Sequence, residues 1–142
     1  MKQISSRFSI AVHILTLVSA SAQPCTGDFL AGSVNTNPVI IRKILGMLKK
    51  ARLVDVRAGT GGASLARGSS EITLLDVYRA VEAAAAEGLF SFHDHPNPAC
   101  EIGRGIEGAL QAELRAAQAA LEGRLAAVTI ESLQAGILDG PA

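Results

Sequence analysis

Tryptophan is absent, aromatic residues make up 4% of the chain, and only two cysteines, Cys25 and Cys100, occur in 142 positions. Two cysteines exclude a disulfide scaffold for a chain of this length, and without a Cys-x-x-Cys pair the usual structural zinc site is missing too. No run reaches the ~20 apolar residues of a membrane-spanning helix. Alanine is abundant while glycine and proline cluster at a few places, which favours helices separated by sharp breaks. Net charge is zero. Spread evenly along the chain, that balance would exclude a polyanionic partner.

The charge is not spread evenly. Residues 1–36 carry Lys2, Arg7 and Asp28, a net +1, whereas residues 37–67 carry Arg42, Lys43, Lys49, Lys50, Arg52, Arg57 and Arg67 against Asp55 alone, a net +6. The remainder sums to −7. A compact basic block in a neutral chain is the footprint of a phosphate-contacting surface; the bland alternative is a solvated basic helix. With 49% hydrophobic residues the chain has enough apolar content for one compact, mainly helical domain with an appendage.

The amino terminus resembles a secretory signal in having Lys2 and Arg7, an apolar run from Ala11 to Val18 and the small residues Ala20-Ser21-Ala22. His13 and Thr16 interrupt that run, and Ile4, Phe8, Ala11, Ile14, Leu15 and Val18 fall at three- and four-residue steps. This is the pattern of an amphipathic helix, expected over Ser5–Ala20, in a cytoplasmic protein with reduced thiols. A short helix is expected over Asp28–Val34, capped by Thr26 or Asp28. Asn37-Pro38 has the form of an N-cap followed by a first-turn proline, so a third helix starts at Pro38. Its inward stripe is Ile41, Ile44, Leu45 and Leu48, and Val39, Arg42, Lys43, Gly46 and Lys50 share the opposite side.

Beyond Arg52 the period changes. Leu53–Arg57, the glycines around Thr60, and Ala63–Arg67 read as strand, turn and strand. A fourth helix is expected over about Thr73–Ala86, with Leu74, Val77, Tyr78 and Val81 inward. An irregular loop over 88–105 follows, and then the longest helix, about Ile106–Val128, with a seam of Leu110, Leu114, Ala117, Leu121, Leu125 and Val128 some ~33 Å long. Such a helix outruns a small domain's core, so it is expected to pair with its twin in a homodimer; packing back along its own domain is the alternative. Thr129 is placed to cap a last helical turn.

Short helix, polar turn, basic helix and glycine-tipped hairpin are the parts of a winged helix-turn-helix. The fold class is therefore mainly α with a small β wing, plus a long C-terminal dimerisation helix. Three units follow: 1–87 for binding double-stranded DNA, 88–105 as a sensor loop, and 106–142 for dimerisation and tail. With the third helix in the major groove, Asn37, Val39, Arg42 and Lys43 meet DNA. Arg42 suits a guanine edge, Val39 a thymine methyl, and Lys43 and Lys50 phosphates. Arg57 points the wing at the minor groove, and the tip amides of Thr60, Gly61 and Gly62 can contact phosphate. The tip is not a nucleotide loop, because no helix follows it directly.

The run Ser33-Val34-Asn35-Thr36-Asn37-Pro38-Val39-Ile40-Ile41-Arg42-Lys43-Ile44-Leu45, the continuation Leu48-Lys49-Lys50-Ala51-Arg52-Leu53-Val54, and Arg57 with Gly59-Thr60-Gly61-Gly62 resemble the Rrf-two family of bacterial transcriptional regulators. The resemblance covers nearly the whole chain and implies a homodimer on a roughly palindromic operator, with the long helix as its interface. Cluster-binding members of that family hold three cysteines in the loop ahead of this helix. Here only Cys100 is present, and Asp94 and Ile106 stand at the other two positions.

The loop leaves three readings open: a thiol sensor at Cys100, pairing with Cys25 or a partner's thiol; a metal or unusual cluster on His93, His95 and Cys100; or a small buried hydrophobe among polar loop residues. No cofactor is expected, with metal or iron–sulfur left open. An enzyme built on Cys100 and a histidine base lacks any oxyanion or substrate motif. Two functions are supported by the sequence: a DNA-binding regulator, expected to be a repressor, and a protein-interaction module of the same fold.

Overall fold

The structure, a computed structural model, describes residues 6–57, 62–82 and 96–139. Helix α1 (Ser6–Ala20) buries Ala11, Ile14, Leu15 and Val18 of the expected stripe, with Phe8 half-buried and Ile4 outside the described residues. Thr16 sits inside it without penalty to the core because its hydroxyl donates back to the Val12 carbonyl at 2.7 Å. Helix α2 (Gly27–Val34) opens on Thr26, whose hydroxyl accepts from the Phe29 amide at 3.1 Å. It closes on Asn35, which takes the left-handed conformation (φ 62°) and donates its N–H to Ala31. Asparagine tolerates that region better than most residues, and the chain turns sharply there into α3 (Pro38–Lys50).

Strands β1 (Val54–Arg57) and β2 (Gly62–Leu65) pair antiparallel, with Val54 opposite Leu65 and Arg57 opposite Gly62. A one-residue bridge extends this hairpin. Cys25 donates to the Ala63 carbonyl at 2.9 Å and accepts from the Ala63 amide at 2.7 Å, so the segment ahead of α2 lies along β2 like a third strand. A 3-10 turn (Ser69–Glu71) leads to α4 (Leu74–Val81), held at its start by a reciprocal cap between Thr73 and Asp76 with bonds of 3.1 and 3.0 Å. The helix ends at Val81 with Glu82 as its C-cap, short of the expected Ala86, and 83–86 lie outside the described residues.

Helix α5 runs Glu101–Ala126, five residues ahead of the expected start. Gly103 and Gly105, which the sequence reading places in the loop, sit in helix. The Asn97 side chain accepts from the Ala99 amide at 3.0 Å and its carbonyl from Cys100 at 3.2 Å, turning the chain after Pro96 so that Cys100 becomes the N-cap. A Cβ on Gly103 would collide with the Asn97 carbonyl, which explains that glycine as a close approach. Helix α6 (Ile130–Leu138) starts on a second reciprocal cap, Thr129 with Ser132.

One core joins these parts. Leu30, Ile41, Ile44, Leu48, Leu53, Val54, Ile72, Val77 and Val81 meet the α1 stripe, each burial being worth roughly 1.5–3 kcal/mol. Ile130, in the stretch that the sequence sets apart as 106–142, is fully buried in that same core. Backbone bonds fix it there, from Ile130 to Ile72 and from Leu74 to Val128, both 2.9 Å, and Ser19 on α1 donates to Gln134 on α6. Helix α5, by contrast, has no buried residue along its 26 positions. Of its later seam residues, Leu114, Leu121 and Leu125 are half-buried and Ala117 is exposed, whereas Ile102, Ile106 and Leu110 are exposed at 71%, 37% and 43%. Among the described residues, no helix is long and apolar enough to cross a membrane.

Candidate nucleic-acid interface

Helix α3 owes its direction to its first two residues. Asn37 Oδ1 accepts from the Ile40 amide at 3.0 Å, and Pro38, with no N–H to satisfy, follows at the first helical position. Ile41, Ile44, Leu45 and Leu48 then pin one face into the core. By helical spacing, Val39, Arg42, Lys43, Gly46, Lys49 and Lys50 occupy the other face, and all six are exposed, Val39 to 64%. Asn37 has its carbonyl oxygen committed to the cap, which leaves only its amide nitrogen available to a ligand.

The ion pairs among the described residues do not reach this surface. The ion pairs Arg7–Glu82 (3.7 Å), Arg67–Asp76 (3.6 Å) and Arg79–Glu122 (3.4 Å) all lie elsewhere. Among the described residues, Arg42, Lys43, Lys49, Lys50, Arg52 and Arg57 have no carboxylate within 4.0 Å. A set of unpaired cations on one rigid helix and its adjoining strand raises the local positive potential and draws a polyanion to that face. Arg57 closes β1, exposed, at the last register pair before the wing tip. Thr60 and Gly61 lie outside the described residues.

Gly62 is placed differently from an open tip residue. It has φ +77°, and a Cβ there would come within 2.6 Å of the Cys25 carbonyl oxygen. The glycine is therefore accounted for by docking of the wing against the segment before α2. Of the two cysteines, both free, Cys25 is 3% exposed within the core and Cys100 is exposed at the head of α5. His93 and His95 lie outside the described residues. Among the described residues no three His, Cys, Asp or Glu side chains converge as a metal site would require. His13, on α1, is exposed and shares a 3.0 Å hydrogen bond with the Ser33 hydroxyl on α2, tying the first two helices together.

The bridge from Cys25 to Ala63 and the left-handed Arg52 (φ 62°) have no local signature in the sequence. The first joins residues 38 positions apart; the second occupies a place where glycine is the ordinary choice.

Comparison with known proteins agrees with this architecture. Residues 4–136 match the family Rrf2 (Rrf-two), described as an iron-dependent transcriptional regulator. YwnA of Bacillus subtilis, named as an HTH-type transcriptional regulator, is 42% identical over 130 residues, covering 92% of this chain and 96% of YwnA. A crystal structure described as that of a DNA-binding protein superposes with a TM-score of 0.72 at 36% identity, covering 90% of this chain and 98% of the other. The fold is shared by CymR, the global cysteine regulator of B. subtilis, with a TM-score of 0.70 at 21% identity and coverage of 95% and 98%. The chain belongs to the Rrf2 family and is a DNA-binding transcription regulator, not an enzyme.

Proposed function

We propose that this regulator works in the cytoplasm as a homodimer that represses by occupying a roughly palindromic operator, each subunit reading one half-site. The observation that carries this reading is the absence of any buried residue on α5, together with the exposed row Ile102, Ile106 and Leu110. Two copies related by a twofold axis would cover that row reciprocally, and the same axis would relate the two α3 helices and hence the two half-sites. In this division, 1–87 binds DNA, 88–105 senses, its last five residues already forming the first turn of α5, and 106–142 supplies the rest of the dimer helix, with α6 also bracing the DNA-binding core.

On DNA, Arg42 donates to a guanine edge, Val39 packs on a thymine methyl, and Lys43, Lys50 and the Asn37 amide hold phosphates. Arg57 enters the minor groove while the tip amides of Thr60 and Gly61 approach the backbone, Gly62 holding the wing against the segment before α2. Control is assigned to Cys100, the exposed thiol ahead of the dimer seam. A peroxide oxidises it by two electrons to a sulfenic acid, being itself reduced to water or an alcohol. Condensation with the thiol of Cys100 of the partner subunit forms the S–S bond and releases the sulfenic oxygen as water. Cys25 is reached only when the core opens, so it is not the first thiol oxidised.

The test combines light scattering with selection of binding duplexes by the full-length protein. A dimer that enriches a twofold-symmetric sequence, and that loses affinity in Arg42→Ala, supports the reading. A monomer at micromolar concentration, or a stable heteromer without duplex affinity, overturns it; the second outcome describes the interaction module. Peroxide that releases wild type and Cys100→Ser equally sinks the thiol control alone.

A further inference from the structure

Helix α3 ends in a closed backbone cap. The Arg52 amide donates to the Lys49 carbonyl and the Leu53 amide to the Leu48 carbonyl, both at 2.9 Å, while Leu53 and Leu48 are buried together. This double bond pattern needs a left-handed residue between helix and strand, and glycine is the residue that takes it without strain. Arginine stands there instead, at φ 62°.

Nothing in the cap uses the arginine side chain. Both bonds are made by backbone atoms that glycine also possesses, and Lys49 and Lys50 already place cations in the last turn, where the helix dipole favours them. Arg52 is exposed, and among the described residues its guanidinium has no hydrogen-bond or ionic partner. It stands at the base of the wing, beside Lys49 and Lys50 and between the reading helix and Arg57. A strained conformation that serves no contact among the described residues points to an external one.

We infer that Arg52 is a phosphate-binding residue of the DNA interface, holding the sugar–phosphate backbone that flanks the half-site, at the junction of α3 and the wing. The inference rests on the DNA-docking reading above. The contact is to the backbone and not to a base, because the side chain leaves from behind the C-terminus of α3, whereas bases meet its N-terminal end.

Strain and phosphate binding separate cleanly in one set of variants of the full-length protein. Binding to a fluorescein-labelled, random-sequence duplex is measured over a series of KCl concentrations, alongside thermal melting. Removing one phosphate-neutralising side chain lowers the slope of log affinity against log salt by about 0.9, which at about 0.1 M salt is roughly an eightfold loss per subunit. Arg52→Gly is expected to melt no lower than wild type, yet to bind more weakly with a shallower slope. Arg52→Ala is expected to bind as weakly as Arg52→Gly but to melt near wild type and below Arg52→Gly, because it keeps the strain that wild type also carries, and Arg52→Lys to keep most of the slope. Arg52→Gly with unchanged affinity and slope overturns the inference, as does Arg52→Gly melting below wild type. If wild type shows no salt-dependent duplex binding, the docking reading fails as well, which is distinguishable from failure at Arg52 alone.

Discussion

Replacing Gly62 by alanine tests how the wing is held. Two costs add. The residue has φ +77°, where a side chain costs about 1–2 kcal/mol in the left-handed region. The new Cβ would also stand 2.6 Å from the Cys25 carbonyl oxygen and 2.7 Å from its carbon, both backbone atoms held by the reciprocal bonds to Ala63. Relief requires the bridge to open or stretch, at about 0.5–1.5 kcal/mol for each of its two bonds. The sum is about 2–5 kcal/mol. For a chain of this size that is a fall in Tm of roughly 5–15 °C, followed by circular dichroism at fixed protein concentration. Gly62→Asn separates the two causes, since asparagine tolerates the left-handed region but carries the same Cβ; it is expected to melt nearly as low as the alanine variant. A Gly62→Ala protein melting within about 2 °C of wild type would refute this account of wing docking.

At Gly46, mid-helix on α3, a Cβ meets nothing within 4 Å, so Gly46→Ala should raise stability by about 0.5–1 kcal/mol in urea unfolding. Tyr78 is buried, with its hydroxyl unpartnered among the described residues, and burial, then the Glu122 and Glu82 carboxylates, push its phenol above the ordinary 10.0. A raised acid favours the protonated fold, so this contribution is full below pH 10.0 and is lost as pH climbs through the folded-state value. Tyr78→Phe should therefore be no less stable at neutral pH and should flatten the alkaline limb of the stability curve; a limb unchanged by the substitution would refute that. Ile106→Glu, at an exposed position of α5, should leave the melting of the DNA-binding unit nearly intact while sedimentation shifts from dimer to monomer. A dimer that persists unchanged would remove Ile106 from the interface.

Much of this fold was legible because its determinants act over four residues or fewer. The Asn37-Pro38 cap, the α1 and α3 stripes and the Thr129 cap are each written in neighbouring side chains, and the structure carries them at those positions. The basic surface was legible for the same reason, since Arg42 and Lys43 follow from helical spacing once Ile41 and Ile44 face inward. What could not be read depends on partners far along the chain. Cys25 is as compatible with a reactive thiol as with a small hydrophobe until β2 is laid beside it, and Ile130 has no local sign that it returns to the α1 core. Gly103 looks like a loop residue because only the approach of Asn97 gives it a reason to be glycine inside a helix.

Helix α5 carries the same lesson into function. Gly103, Gly105 and Gly108 occupy its first eight residues, each costing about 0.8–1.0 kcal/mol relative to alanine in a helix. That is a deficit of about 3 kcal/mol in about two turns, in a helix with no buried residue of its own to offset it. Ile102, Ile106 and Leu110 lie in and just beyond that stretch, and covering what each leaves exposed would contribute a fraction of the roughly 1.5–3 kcal/mol of a full burial, the largest share at Ile102. The first half of α5 is thus built to be ordered by whatever covers that row, and Cys100 caps its start. Under the proposed dimer, order in this half-helix and pairing of the subunits become one equilibrium. Oxidation of Cys100 would then act on the spacing of the two reading helices through that equilibrium, without touching either of them.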